Sequence, residues 1–337
     1  MEAVPSKIIR QIIIIVVLGI VGSLIFYELL PYLSGFLGAI TLYILLKKPM
    51  KILRAKGWKT SLAASFLMFL SFVGVLFPIL GITLMLSNKL DNAVSNAEKL
   101  FSALQKHIIE FEKTLGHDFY KDLDVAGGTS WVGENAKVLI GSTFELLIAI
   151  SIMYFLLYFM LTKPKQLKKS IYNYGPFSEQ HIKTLVKESS KMIRSNALGI
   201  PIVAFAQGIV ALIGFLIFGI ENPLFWFVII VIGSMIPFVG TLVGIIPVFL
   251  ITLASGNEYA AYGILIYGLV VVGSTDNIIR LYVLKKMDDV HPLITLIGVI
   301  IGIPLFGFIG LIFGPITISL FFIILKMYKI EYVDKKV

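Results

Sequence analysis

Asp276 is the one acid lying well inside a long apolar stretch of the C-terminal half. An ionisable group at such depth in a membrane segment is costly and usually functional. Ser274 and Thr275 precede it, Asn277 adjoins it, and Arg280 follows four residues on, a spacing that brings Asp276 and Arg280 onto one helical face. Two chemistries fit. The carboxylate is a coupling site that binds Na⁺ or shuttles a proton, or it forms a structural ion pair that keeps it charged. Arg280 can equally reach out to the cytoplasmic interface.

A second kind of site is built from backbone. Ile236-Pro-Phe-Val-Gly240 is echoed by Ile303-Pro-Leu-Phe-Gly307, each near the middle of an apolar segment. Gly244 and Pro247 follow the first copy, and Gly310, Gly314 and Pro315 the second. Pro removes a backbone donor and clashes with the preceding turn, and Gly costs a helix roughly 1 kcal/mol against Ala. Unpaired backbone groups at lipid depth persist only where protein buries them or a cavity reaches them. Matched breaks therefore read as two halves of a transport site, resting on Pro237, Gly240, Thr241, Pro304 and Gly307. Close helix packing is the plainer role for such glycines, but it leaves the match between the copies unexplained. Gln207, Asn196 and Ser234 are weaker candidates, since single polar residues often just bond across helices for ~0.6 kcal/mol.

Other chemistries find no support in the residues. The chain has no Cys, which removes thiolate metal sites and thiol nucleophiles. His107, His117, His181 and His291 are scattered without metal-ligand spacing, and the Gly-rich runs lie within apolar segments rather than phosphate loops. An enzyme is not expected, nor any cofactor beyond Na⁺ or H⁺ as a coupling ion. With no ATP-binding motif, uphill transport is expected to use an ion gradient.

The elements that position these residues are membrane spans. Of 337 residues 58% are hydrophobic and only 15% charged, where soluble domains carry about a quarter charged. The net charge of +9 sits in a few loops between apolar runs, which is a topological signature rather than one of nucleic-acid binding. Lys7 and Arg10 before Ile12–Ile20 resemble a signal peptide without a cleavage site, so a retained first span is expected near 11–27. A tight turn at 28–31 then leads to a second span. The loop 47–59 has six basic residues and no acid and is placed in the cytoplasm. A third span at 60–86, with Gly74, Pro78 and Gly81 as kinks, leads to a small amphipathic outer segment over 87–137. A fourth span at 138–161 returns to 163–194, with eight basic residues against two acids, expected as an amphipathic helix on the membrane surface.

Between Arg194 and Arg280 there is no Lys or Arg. After a fifth span at 196–218, the 31-residue segment 224–254 is bounded by the acidic turns Glu221-Asn222 and Asn257-Glu258. Both turns stay outside if the segment dips in and returns, with its tip at 237–240. The segment 292–325, with basic residues at both ends, dips in from the inner side. The expected fold is an all-α polytopic membrane protein with about six transmembrane helices and two re-entrant hairpins in an inverted repeat. Eight plain spans are the alternative. The parts are N-terminal spans (1–86), the outer segment (87–137), the fourth span with the basic segment (138–195), the transport core (196–327) and a tail (328–337). The chain is expected in the cell membrane with both termini cytoplasmic.

At these residues the sequence resembles the autoinducer-2 exporter family of bacterial and archaeal membrane proteins. The likeness is carried by Ile236–Gly240 with Gly244 and Pro247, by Asp276-Asn277-Ile-Ile-Arg280, by His291-Pro292-Leu293, and by Leu305–Gly310 with Gly314-Pro315. Members often carry Pro after the Asp-Asn-x-x-Arg motif, where this chain has Leu281, and a small residue where it has Pro304. The resemblance implies a transporter and a homo-oligomer, with pentamers known in the family. Some members look like exporters of autoinducer-2, others like Na⁺(Li⁺)/H⁺ antiporters. An exporter of a small polar solute working by alternating access is the leading expectation, the antiporter the alternative and an intramembrane scaffold a third. Expected partners are membrane lipid, the solute or ion, and further copies of the chain, with no nucleic acid.

Overall fold

The computed structural model describes residues 6–87, 143–174, 178–236, 240–275, 278 and 292–329. Pro237, Asp276, Asn277, Arg280 and all but the first residue of the expected outer segment lie outside these residues.

The protein is an all-α, multi-pass membrane protein, and every regular element among the described residues is helical. Four helical stretches are long and apolar enough to cross a bilayer: Arg10–Ala55, Glu179–Ile217, Glu258–Thr275 and Gly310–Tyr328. A fifth is reached only by the pair Leu147–Thr162 and Pro164–Ser170 together, which are bent by 97° where they meet.

Helix α1 (Ser6–Leu29) continues through a 3-10 turn, Leu30–Tyr32, into α2 (Leu33–Ala55). A reversal was expected here, yet Leu29 and Leu33 both keep right-handed backbone angles. Pro31 follows the start of the turn, where its missing N–H breaks no helical bond. The chain therefore does not fold α1 back along α2, and the apolar side chains of α1 stay exposed. Helix α3 (Thr60–Ser87) runs through Gly74, Pro78 and Gly81 without a break in its helical assignment.

Helix α4 (Thr143–Thr162) lies parallel to α2. Gly35 faces the Ala149 backbone and Gly38 the Met153 side chain, so both contacts advance together along the two helices. Ala39, Met50, Ala63, Ala64, Leu67, Leu157 and Leu161 form the buried core joining α2, α3 and α4. Helix α5 (Pro164–Tyr174) follows the bend.

Helix α6 (Glu179–Ile217) merges two expected elements, the basic amphipathic stretch and the fifth span, into 39 residues. At 1.5 Å per residue it is about 58 Å long, roughly twice the ~30 Å hydrocarbon thickness. Ser178 caps it, its hydroxyl accepting from the His181 amide at 3.4 Å. The C-terminal half comprises α7 (Pro223–Gly233), α8 (Leu242–Ala254), α9 (Glu258–Tyr267) with a π-helical continuation over Gly268–Val272, α10 (Pro292–Phe306) and α11 (Gly310–Tyr328). Helices α7, α9 and α11 pack along α6, whereas α8 packs on α7 and α9 and α10 on α11.

Candidate functional site: two hairpins ending at one depth on α6

Helices α7 and α8 form an antiparallel hairpin. A Cβ added to Gly240 would strike the Gly233 carbonyl, one added to Gly233 would strike the Gly240 carbonyl, and Gly244 faces Ile230. Helices α10 and α11 form another, with Gly302 against Gly310 and Gly298 against Gly314 and Pro315. Each hairpin thus closes on a pair of glycines whose backbones touch. In the second, the chain turns at Gly307, whose φ is +63°; Pro304 lies inside the last turn of α10 and is exposed, so it is not the break.

Contacts with α6 fix where each hairpin lies along it. In the first, Gly208 faces Phe227 and Val231, and the rings of Phe205 and Phe227 meet at 5.8 Å. This runs α7 antiparallel to α6 and brings its far end level with about residues 200–204 of α6. In the second, the Asn196 side-chain amide donates to the Ile312 carbonyl at 3.3 Å, and Ile193 packs with Phe313 and Ile316. That sets α11 antiparallel to α6 and Gly307 level with about residue 201. The hairpins approach from opposite ends of α6, on faces about a third of a turn apart, and stop at one depth.

Just short of that depth the core changes character. Ala211 on α6, Ile230 on α7 and Ile245 on α8 belong to one buried apolar cluster. Four residues nearer the tip on each helix stand Gln207, Ser234 and Thr241, one turn along the same faces. Their exposures are 3%, 7% and 9%. Gln207 Oε1 and Ser234 Oγ are buried without a hydrogen-bond partner among the described residues. Buried polar atoms are almost always paired, so an orphan marks a place for water, an ion or a ligand group. The three are neutral groups: one amide oxygen that needs a donor, and two hydroxyls that both donate and accept.

Asn196 has its cross-helix bond and needs no other role. Gly240 is buried and Gly307 exposed. Ser234, Gly240 and Thr241 lie at the first tip, with Gln207 on α6 one turn from Ala211, and Pro304 and Gly307 at the second. Sequence reasoning named Gln207, Ser234 and Thr241 singly; that all three are buried follows only once the helices are packed. It also missed the π segment, which falls just before Ser274 and Thr275 and for which the sequence offers no periodic signal. There the Tyr267 hydroxyl donates to the Val210 carbonyl at 2.9 Å, its ring lying where Gly214 lacks a side chain. π-turns inside helices often occur at functional sites.

A family model described as AI-2E family transporter matches residues 13–330. An Aquifex aeolicus protein is 24% identical over 200 residues, covering 59% of this chain and 57% of that protein. A Mycobacterium tuberculosis protein is 24% identical over 203 residues, covering 60% and 52%. Escherichia coli YdiK is 28% identical over 131 residues, covering 39% and 35%. All three carry the provisional description of transport protein. The chain spans little more than half the length of the first two, and less of YdiK.

Proposed function

The chain belongs to the AI-2E transporter family, and from that premise we propose that it is a secondary transporter exporting a small polar solute such as autoinducer-2. Transport proceeds by alternating access around the two hairpins, which dip into the membrane from opposite leaflets without crossing it. The observation that carries this reading is the pair of buried oxygens without a partner among the described residues, Gln207 Oε1 and Ser234 Oγ, near the first hairpin's tip. A hydroxylated solute entering there donates to Gln207 Oε1 and exchanges hydrogen bonds with Ser234. An unpaired ion among neutral groups in an apolar core keeps a large desolvation cost, so the site favours an uncharged solute. Three of the four arms, of 11, 13 and 15 residues, reach about 16–22 Å, less than the ~30 Å of a bilayer core, which supports the re-entrant reading; the fourth, α11, has 19 residues and is long enough to cross.

The test is counterflow in proteoliposomes. Labelled autoinducer-2 exchanges in wild type, and the exchange falls in Gln207→Leu and Ser234→Ala. Exchange unchanged in both variants removes these residues from the pathway. The second reading, an Na⁺(Li⁺)/H⁺ antiporter, rests on Asp276 within its apolar stretch. An Na⁺ gradient driving a pH change without organic solute, abolished by Asp276→Asn, favours it. Asp276→Asn with all transport intact ends any coupling role for that carboxylate. The Pro237 tip, Asn277 and Arg280 stand with Asp276 as proposed pathway residues. We further propose a cell-membrane location with a cytoplasmic C-terminus and a homo-oligomer, by family likeness a pentamer; the expected cytoplasmic N-terminus does not fit an α1 that runs on into α2 without reversing.

A further inference from the structure

Helix pairing collects four separate basic segments at one end of the molecule. Because α2 and α4 run parallel in the register set by Gly35 with Ala149 and Gly38 with Met153, Lys47 and Lys48 lie level with Lys163, and the basic stretch expected as a loop over 47–59 instead continues α2 to Ala55 before the chain turns. Helix α5 leads from there to the start of α6 within a few residues. The antiparallel register of α11 on α6 brings Lys326 and Lys329 to the same end. Among the described residues this end holds sixteen Lys and Arg against two acids, Glu179 and Glu188.

Helix α5 has the geometry to lie on a bilayer. It leaves the apolar helix α4 at 97°, so where α4 crosses, α5 runs along the surface. Its sequence carries an apolar stripe at Leu167, Ile171 and Tyr174, with Lys168 at its edge and Lys165 and Lys169 on the opposite face. These three lysines are exposed, and the Lys168 ammonium sits 5.4 Å from the centre of the Tyr172 ring. In the loop after α2, Trp58 is 42% exposed and leans on Phe66 with ring centres 5.4 Å apart. Trp at the edge of a span is an interfacial anchor.

We propose that this end binds anionic phospholipid headgroups, with α5 lying flat among the phosphates and its three lysines forming the principal contact. The 97° bend lays α5 along the bilayer surface, where long lysine side chains reach the phosphates from the polar face of an interfacial helix. Basic clusters at the cytoplasmic edge of a span recognise acidic lipid in this way.

The full-length protein in neutral detergent is titrated with phosphatidylglycerol, phosphatidylcholine, inorganic phosphate or a mixed-sequence RNA, and its melting temperature followed. Phosphatidylglycerol raises it in a saturable way that fades at high salt, and phosphatidylcholine does not. Lys165→Gln, Lys168→Gln and Lys169→Gln each move the titration midpoint by about fivefold, the fold-change equivalent to ~1 kcal/mol per basic residue near the surface. If one of these variants does not fold, the other two carry the same comparison. Equal stabilisation by phosphatidylcholine, or unmoved midpoints in the variants, overturns the proposal. Reproduction of the effect by phosphate or RNA also overturns it, because the surface then reads anions generally.

Discussion

Gln207 and Ser234 are buried polar side chains that the fold does not need. An orphaned buried polar atom costs about 1–3 kcal/mol, and an apolar group of similar shape in its place is close to neutral or stabilising. Gln207→Leu and Ser234→Ala should therefore melt at or above the wild-type temperature while solute exchange falls. The fall should be tenfold for each ~1.4 kcal/mol of binding lost. A structural role predicts the opposite, a lower melting temperature with exchange per folded protein unchanged. Gly240 has the converse character. Its missing Cβ lets the Gly233 carbonyl approach, so Gly240→Ala should destabilise by about 1–3 kcal/mol through overpacking. Gly19→Ala, with nothing within 4 Å of an added Cβ, should stay within ~0.5 kcal/mol of wild type; thermal unfolding in detergent compares the two. The candidate residues were legible one by one, because polar groups and Pro-Gly breaks stand out in apolar sequence. Their shared burial was not, since it follows only once the helices are packed.

The hairpins were legible as elements because segments bounded by like charge and interrupted by Pro and Gly have few ways to sit in a bilayer. The detail differed where backbone geometry overrode composition. The second hairpin turns at Gly307 rather than Pro304, as a left-handed residue reverses a chain that Pro at the end of a helix only closes. The junction of α1 and α2 was misread as a reversal from Pro31 alone, although no residue there takes the left-handed conformation a tight return requires. The junction of the basic stretch with the fifth span was misread from the change in charge, which marks the depth of a helix rather than its end. The π segment after α9 is pinned by Tyr267. Tyr267→Phe removes its hydrogen bond to Val210 and should cost about 0.5–1.5 kcal/mol. Unfolding midpoints of the variant and wild type measure this, and an unchanged midpoint would show that the bond holds nothing.

At the scale of the whole molecule, charge and packing agree. The four basic segments, far apart in sequence, meet at one end of the bundle, while the acidic turns at Glu221 and Glu258 bound the hairpin that enters from the other end of α6. Composition alone announced a multi-pass membrane protein. It did not reveal that α6, about 58 Å long, is the common rod along which both hairpins are measured, because no local signal separates one long helix from two shorter ones. On the proposed topology the hairpins enter from opposite leaflets and end together at mid-depth. Single cysteines in this Cys-free chain at Glu221 and Asn257, and at Leu293 and Lys329, labelled from one side of the membrane at a time, decide it. The first two should react only from outside and the last two only from the cytoplasm. If the two positions flanking either hairpin react from opposite sides, that hairpin is a crossing span and the re-entrant topology is wrong.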